Sequence, residues 1–187
     1  MADKHVVAMG GGGFSMDDPL LDRFVLSLTD AIKPKVCFLP TASGDSPGYI
    51  EKFHAAFTAH GATPSVLGLF YRDVADVTEF LTSQDVIYVG GGNTVNMLAI
   101  WSLHGVDDAL WTAWQHGVVL AGLSAGANCW FDAFTTDSFR VGTAESAEGL
   151  GFLKGSFSPH HSSEPARRPA FATLIGTGKI PAGYACD

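Results

Sequence analysis

The sequence predicts an α/β protein with a doubly wound, mostly parallel sheet and helices on both faces. Two observations indicate this fold. Short apolar runs alternate with longer segments in which apolar residues recur at helical spacing. The runs are apolar at consecutive positions, as in parallel strands that are buried between two helical layers. A length of 187 residues with 47% hydrophobic residues suits a single domain with one core.

The predicted elements follow one another in order. Strands are expected at residues 6–9, 36–39, 65–69, 86–89 and 118–121, and helices at residues 19–31, 48–60, 78–81, 95–103, 106–116 and 127–131. After Phe131 the pattern is irregular, with a short strand at 156–159 and a helix at 165–175. A further strand begins near residue 183, so we expect a domain that is truncated at its C-terminal strands.

Charge and the absence of targeting patterns argue against several classes of function. Nineteen Asp and Glu residues against eleven Lys and Arg residues give a net charge of -8, which repels phosphate backbones and anionic membranes. We therefore expect neither a nucleic-acid partner nor a membrane partner. The first residues lack the charged-then-apolar layout that is expected of a signal peptide, and no apolar run reaches the length of a membrane span. The three cysteines form no CxxC pair. The prediction is a cytoplasmic protein without a metal or cofactor.

A serine lies in a motif of small residues. Residues 122–126 read Gly-Leu-Ser-Ala-Gly and match G-x-S-x-G between a predicted strand and a predicted helix. A tight turn of this kind holds a strained serine at the C-terminal edge of a sheet. The following helix offers N–H groups and the positive end of its dipole. We therefore predict Ser124 as a hydrolase nucleophile; the alternative is an ordinary turn that contains a serine.

A second glycine-rich loop, Gly-Gly-Gly-Asn-Thr at residues 90–94, also follows a predicted strand. Glycines allow the backbone to approach a ligand closely. The dinucleotide fingerprint G-x-G-x-x-G fails because position 95 is Val95. Beside the serine turn, the loop fits an oxyanion hole with one N–H from Gly91 or Gly92 and one from Ala125. A turn that serves packing alone is the alternative.

Two adjacent histidines are the best placed source of a general base. His160 and His161 follow a short predicted strand that ends at Pro159. A serine hydroxyl needs a neutral imidazole within hydrogen-bond distance. Because neighbouring side chains of a strand point to opposite sides, only one of the two rings can face Ser124. A solvated loop and metal ligation are the alternatives, but no third ligand stands at suitable spacing.

Together, these motifs resemble the aspartyl dipeptidases of the peptidase E family (peptidase family S51) and the related cyanophycinases. The resemblance covers most of the chain: a Gly-rich first loop with Phe14 and Ser15, and the motifs at residues 39–42, 90–94, 122–128 and 159–160. It implies a fold similar to class I glutamine amidotransferases. It also implies hydrolysis of a peptide bond through an acyl-enzyme, often after an N-terminal aspartate.

The resemblance implies roles for individual catalytic residues. Ser124 matches the nucleophile, and His160 matches the base of the family's Pro-His step. The triad acid matches Asp187 or a residue just beyond it. Asp137 aligns with a second family aspartate near the site.

Substrate-binding residues are also implied. An acidic substrate side chain in a partly dry pocket needs a positive partner. Arg167 and Arg168 begin the predicted helix after His160, in the neighbourhood where the family has a substrate-binding arginine. A position of both on the solvated helix face is the alternative. Asn93, in the glycine loop, is predicted to bind substrate as well.

The leading hypothesis is a serine-type dipeptidase that acts on short peptides with an N-terminal aspartate. A homodimer is a further expectation. One alternative is an esterase of the α/β-hydrolase type, which the short chain and the missing His-Gly oxyanion motif disfavour. The other is a catalytically silent binding domain that keeps the glycine loops as an anion cradle.

Overall fold

A computed structural model describes residues 3–142 and 144–187. The strands are β1 (Val6–Met9), β2 (Lys35–Leu39), β3 (Thr63–Val66), β4 (Val86–Val89), β5 (Val119–Leu123), β6 (Phe131–Thr136), β7 (Glu145–Glu148), β8 (Leu153–Ser158) and β9 (Gly183–Ala185). The helices are α1 (Pro19–Leu26), α2 (Pro47–Ala59), α3 (Val77–Thr82), α4 (Thr94–His104), α5 (Val106–Gln115), α6 (Ala125–Asn128) and α7 (Arg167–Gly176).

The main sheet has five parallel strands in the order β1-β5-β4-β2-β3. Its central strands β4 and β5 are buried along their whole length, because helices cover both faces. This confirms the predicted α/β fold. The predicted strand at residues 65–69 is shifted, since β3 covers Thr63–Val66.

A second, four-stranded sheet has the order β7-β6-β8-β9. Strand β7 is antiparallel to β6, whereas β8 runs parallel to both β6 and β9. The sequence analysis placed three elements of this region, the strand before His160, the helix that is α7 and the strand near residue 183, but it missed β6 and β7. Helix α6 is only four residues long, so Phe131 already begins β6 instead of ending a helix. Strand β7 (Glu-Ser-Ala-Glu) has no apolar pattern that could have predicted it.

Two apolar clusters lie on opposite faces of the main sheet, as the alternation along β2 shows. Cys37 and Leu39 belong to one cluster, and Val36 and Phe38 to the other. The first cluster also contains residues of β6 and β8, so it joins the two sheets into one core. The second packs helix α2 against the sheet through stacked and edge-on rings: Phe14, Phe38, Phe53, Phe57 and Tyr88.

The C-terminal ends of several strands meet at one edge of the molecule. A Cβ on Gly10, just after β1, would lie 2.3 Å from the carbonyl oxygen of Cys186, just after β9. A Cβ on Gly91, after β4, would lie 3.5 Å from the Cβ of Ser124, after β5. This edge therefore collects the loops in which the sequence places its candidate residues.

Candidate active site

Ser124 occupies a strained turn between β5 and α6. Its φ and ψ of 52° and -110° are rare for a residue with a side chain. Its backbone holds the turn, because its N–H donates to the Met9 carbonyl at 2.9 Å and its carbonyl accepts from Ala127 and Asn128 at 3.0 Å. The side chain is half-buried. The turn thus has the conformation that the motif predicts, with the hydroxyl at the start of a helix.

The two glycines of the motif are required by close backbone contacts. A Cβ on Gly122 would lie 2.1 Å from the carbonyl oxygen of Gly126. A Cβ on Gly126 would lie 2.3 Å from the carbonyl oxygen of Val89 in β4. Backbone atoms cannot move away as a flexible side chain can, so any larger residue would displace the serine turn.

These contacts predict that Gly126→Ala destabilises the fold by about 1–3 kcal/mol, or more if the turn cannot relax. Gly48→Ala is the matched control, because Gly48 also lies in a helix but a Cβ there would meet no described atom within 4 Å. That control should be neutral or stabilising by up to about 1 kcal/mol. Urea unfolding of both variants measures the difference. Equal stabilities would contradict the packing argument.

The structure brings His160 to Ser124. The His160 Nε2 atom lies 2.8 Å from Ser124 Oγ, and the ring borders Gly11, where a Cβ would lie 3.6 Å from Cε1. The His161 ring instead stands edge-on to Phe171, with centroids 5.9 Å apart. The prediction attributed the separation of the two rings to the alternation of side chains along a strand. In the structure, β8 ends at Ser158, and His160 has a left-handed φ of 52°. A turn, rather than strand alternation, directs the two rings apart.

Asp187 does not make the predicted contact with His160. Its Oδ1 accepts hydrogen bonds from the backbone N–H groups of Ser162 and Ser163 at 2.8 and 2.9 Å. These two bonds lower the pKa of the exposed Asp187 carboxyl to about 2. Among the described residues, no carboxylate lies within hydrogen-bond distance of the His160 ring. Asp187 thus contacts the turn that follows His160 instead of the imidazole.

Asp137 and Arg167 pair with each other. Arg167 Nη2 lies 3.3 Å from Asp137 Oδ1, and Arg167 Nε donates to Glu164 Oε2 at 2.7 Å. The Arg167 side chain is buried, whereas Arg168 is exposed on α7. Arg167 therefore cannot bind an acidic substrate without losing these pairs. Arg167 already faces two carboxylates, and Arg168 lies on the solvated helix face.

The glycine loop at residues 90–94 borders Ser124, as predicted. Its backbone N–H groups differ in whether they donate to an acceptor within the described chain. The Gly91 N–H donates to the Tyr49 hydroxyl at 3.3 Å. Within the described chain, the N–H groups of Gly92 and Ala125 donate to no acceptor. Gly92 has a φ of 138°, and a Cβ there would lie 2.1 Å from the Ala42 carbonyl oxygen. Among these three residues, Gly92 and Ala125 therefore have a backbone N–H without an acceptor in the described chain, and Gly91 does not.

Asn93, which is predicted to bind substrate, uses its side chain in this structure to cap a helix and to contact a neighbouring loop. Its Oδ1 accepts from the Asn96 N–H at 2.9 Å and caps helix α4. Its Nδ2 donates to the Ser138 carbonyl at 3.0 Å. Ser138 Oγ in turn accepts from the Thr94 N–H at 3.0 Å. Asn93 and Ser138 thus fasten the loop after β6 to the glycine loop.

Sequence reasoning missed two residues that support the site, Tyr49 and Ser138. Burial raises the pKa of the Tyr49 hydroxyl, so it stays neutral while it accepts from Gly91. Tyr49 lies on α2, where the apolar periodicity predicts only packing. Ser138 stands in a Thr-Thr-Asp-Ser stretch, and only the turn-forming character of these residues could have pointed to it.

The described residues contain neither a cluster suited to a metal ion nor a helix suited to a membrane. No three His, Cys, Asp or Glu side chains within residues 3–142 and 144–187 are grouped so that they could hold a metal ion. None of the helices in these ranges combines the length and apolarity that crossing a membrane requires.

The profile of Peptidase family S51 matches residues 6–187. This chain belongs to peptidase family S51. The S51 chain is 50% identical, over 186 residues, to a protein of Bacillus subtilis (strain 168) described as the uncharacterized peptidase YgaJ; the match covers 98% of this chain and 80% of that relative. It is 28% identical over 128 residues to Peptidase E of Streptomyces coelicolor, with 68% of this chain and 51% of the relative covered.

A solved structure shares the S51 fold. The crystal structure of a candidate peptidase E protein from Listeria monocytogenes EGD-e has a TM-score of 0.66 at 20% identity. The superposition covers 91% of this chain and 85% of the Listeria chain. At this identity the likeness concerns the fold alone.

Proposed function

We propose that this S51 chain is a serine-type peptidase that hydrolyses short peptides through an acyl-enzyme on Ser124. The 2.8 Å separation of His160 Nε2 and Ser124 Oγ carries the proposal. At that distance a neutral imidazole accepts the hydroxyl proton while Oγ attacks a carbonyl carbon. The strained turn supports it, because backbone strain of this kind persists where the surrounding structure holds a functional group in place.

The proposed reaction has two halves. In the first, the Ser124 Oγ–carbon bond forms, and the proton moves to His160. The protonated ring then gives this proton to the leaving amine as the peptide C–N bond breaks. In the second half, His160 removes a proton from water, which attacks the acyl carbon and releases the acid and the Ser124 hydroxyl.

The oxyanion of each tetrahedral intermediate needs preorganised donors. We assign this role to the N–H groups of Gly92 and Ala125, because neither has an acceptor in the described chain. Ala125 is also the first residue of α6, where the unpaired N–H groups carry the positive end of the helix dipole. Gly91 remains a neighbour of the nucleophile, with its own N–H directed to Tyr49.

The proposed substrates are dipeptides with an N-terminal aspartate. This preference is supported by membership of the family and by the similarity to Peptidase E of Streptomyces coelicolor. It draws no support from Arg167 or Arg168, because one is paired and the other exposed. The cytoplasmic location and the homodimer stay predictions from the sequence and the resemblance.

Hydrolysis of Asp-Leu, Ala-Leu and p-nitrophenyl acetate tests the proposal. We expect turnover of Asp-Leu with kcat/KM at least about tenfold above that of Ala-Leu, as the resemblance to the aspartyl dipeptidases implies; a single additional substrate contact is sufficient for discrimination of that size. Equal rates on the two dipeptides would remove the acidic preference. Turnover of the ester alone would favour the esterase, and no turnover of any of the three would favour a silent binding domain.

A further inference from the structure

Arg167 is a buried cation that the proposed reaction does not use. The residue is only 5% exposed. Removing a guanidinium from water is costly unless charges and hydrogen bonds compensate it. Arg167 is therefore a buried charge close in sequence to His160, the proposed base, and its position needs a structural explanation.

The guanidinium binds groups from two different parts of the fold. Its Nε donates to Glu164 Oε2 at 2.7 Å. Its Nη1 donates to the Thr135 carbonyl at 3.1 Å, and its Nη2 to Asp137 Oδ1 at 3.3 Å. Thr135 and Asp137 stand at the end of β6, whereas Glu164 precedes α7. Arg167 thus connects the end of a strand with the chain that follows His160.

Glu164 closes the turn that begins with His160. Its N–H donates to the His160 carbonyl at 3.0 Å, and its own carbonyl accepts from the Arg167 N–H at 2.9 Å. His160 itself has a φ of 52°, a conformation that costs energy for a non-glycine residue. Besides this local hydrogen bond, contacts with other parts of the fold hold the turn: Asp187 accepts from Ser162 and Ser163, and the Cys186 carbonyl accepts from the His161 N–H at 3.3 Å.

We propose that Arg167 is a positioning residue, which holds the turn from His160 to Glu164 against β6 and so keeps the His160 ring at Ser124. The inference rests on the proposed role of His160 as general base. It replaces the expectation that Arg167 binds an acidic substrate. Arginine suits the role because its planar fork serves three acceptors in fixed directions, which the single ammonium of lysine does not.

Arg167→Met is the test, with Arg168→Met as the matched control on the exposed face of the same helix. We expect Arg167→Met to lower kcat about 10- to 100-fold with KM changed less than about twofold, since a displacement of the base near 1 Å is sufficient for such a loss. Arg168→Met should leave both constants unchanged. Arg167→Lys retains the charge, is less disruptive to folding, and should lose kcat in the same direction.

Crystal structures of the two Met variants give a readout that does not depend on peptide hydrolysis. We expect the His160 Nε2–Ser124 Oγ separation to exceed about 3.5 Å, beyond hydrogen-bond range, in Arg167→Met and to stay unchanged in Arg168→Met. If the wild-type protein hydrolyses no peptide, the proposed function fails while this comparison still tests the positioning role.

Any of three results would overturn the inference. One is an unchanged His160 turn in Arg167→Met, or in Arg167→Lys if the Met variant does not fold. Another is an unchanged kcat with a KM that rises for Asp-Leu but not for Ala-Leu, which would make Arg167 a substrate-binding residue. A lower melting temperature with unchanged kcat and KM would also contradict it, because it would leave Arg167 a stabilising residue only.

Discussion

Replacement of Ser124 by alanine is expected to lower kcat/KM for a peptide substrate by roughly a thousandfold to a millionfold. The variant lacks the atom that is proposed to form the acyl bond, and the proposed oxyanion donors, the N–H groups of Gly92 and Ala125, remain. Its fold should persist, because the backbone hydrogen bonds of Ser124, and not its hydroxyl, hold the turn. Steady-state kinetics and circular dichroism of the same preparation measure both effects.

Ser102→Ala is a suitable control for this substitution. Ser102 lies exposed on α4, so its loss should change neither activity nor stability measurably. Near-native turnover by Ser124→Ala would exclude Ser124 as the nucleophile. Loss of activity together with loss of the circular dichroism spectrum would assign the effect to folding instead.

His160→Gln should produce the second largest effect, a loss in kcat of roughly a hundredfold to ten-thousandfold. Glutamine keeps a polar side chain of similar reach but cannot accept and return a proton near neutral pH. The matched control is His161→Gln, because the two residues are adjacent and only the His160 ring reaches Ser124. We expect His161→Gln to retain kcat within a few-fold. Equal losses of kcat in the two variants would contradict the proposed role of the contact between His160 and Ser124.

The contrast between Ser124 and the charged residues shows which parts of the site the sequence could predict. The serine turn is specified locally, since Gly122 and Gly126 are required by contacts within a few residues and with the neighbouring strand. Its strain and its place at a strand end follow from the motif alone. His160 was also predictable as a residue, although the turn that directs its ring was not.

The partners of Asp137, Arg167 and Asp187 could not be predicted from the sequence. Apart from the pair of Glu164 and Arg167, which are three positions apart, each contact joins residues that are 24 to 32 positions apart in the chain. The side-chain directions depend on how β6, α7 and β9 pack, which no local pattern encodes. The same limit applies to the second sheet, where Phe131 begins a strand because α6 ends early.

The strands of the fold were predictable where burial on both faces leaves a clear apolar pattern in the sequence. Strands β2, β4 and β5 lie in the middle of the main sheet, and their nearly continuous apolar residues identified them. Strand β7 pairs only with β6, and its residues are exposed or half-buried. An edge strand of this kind needs no apolar face, so its sequence resembles a loop.

Covalent labelling is the most direct test of the central claim, that Ser124 is a nucleophile activated by His160. The wild-type protein is treated with a fluorophosphonate, digested, and examined by mass spectrometry. We expect a single phosphonylated peptide that contains Ser124, a much slower reaction in His160→Gln, and none in Ser124→Ala. Modification of another residue, or equal labelling rates in the wild type and His160→Gln, would contradict the claim.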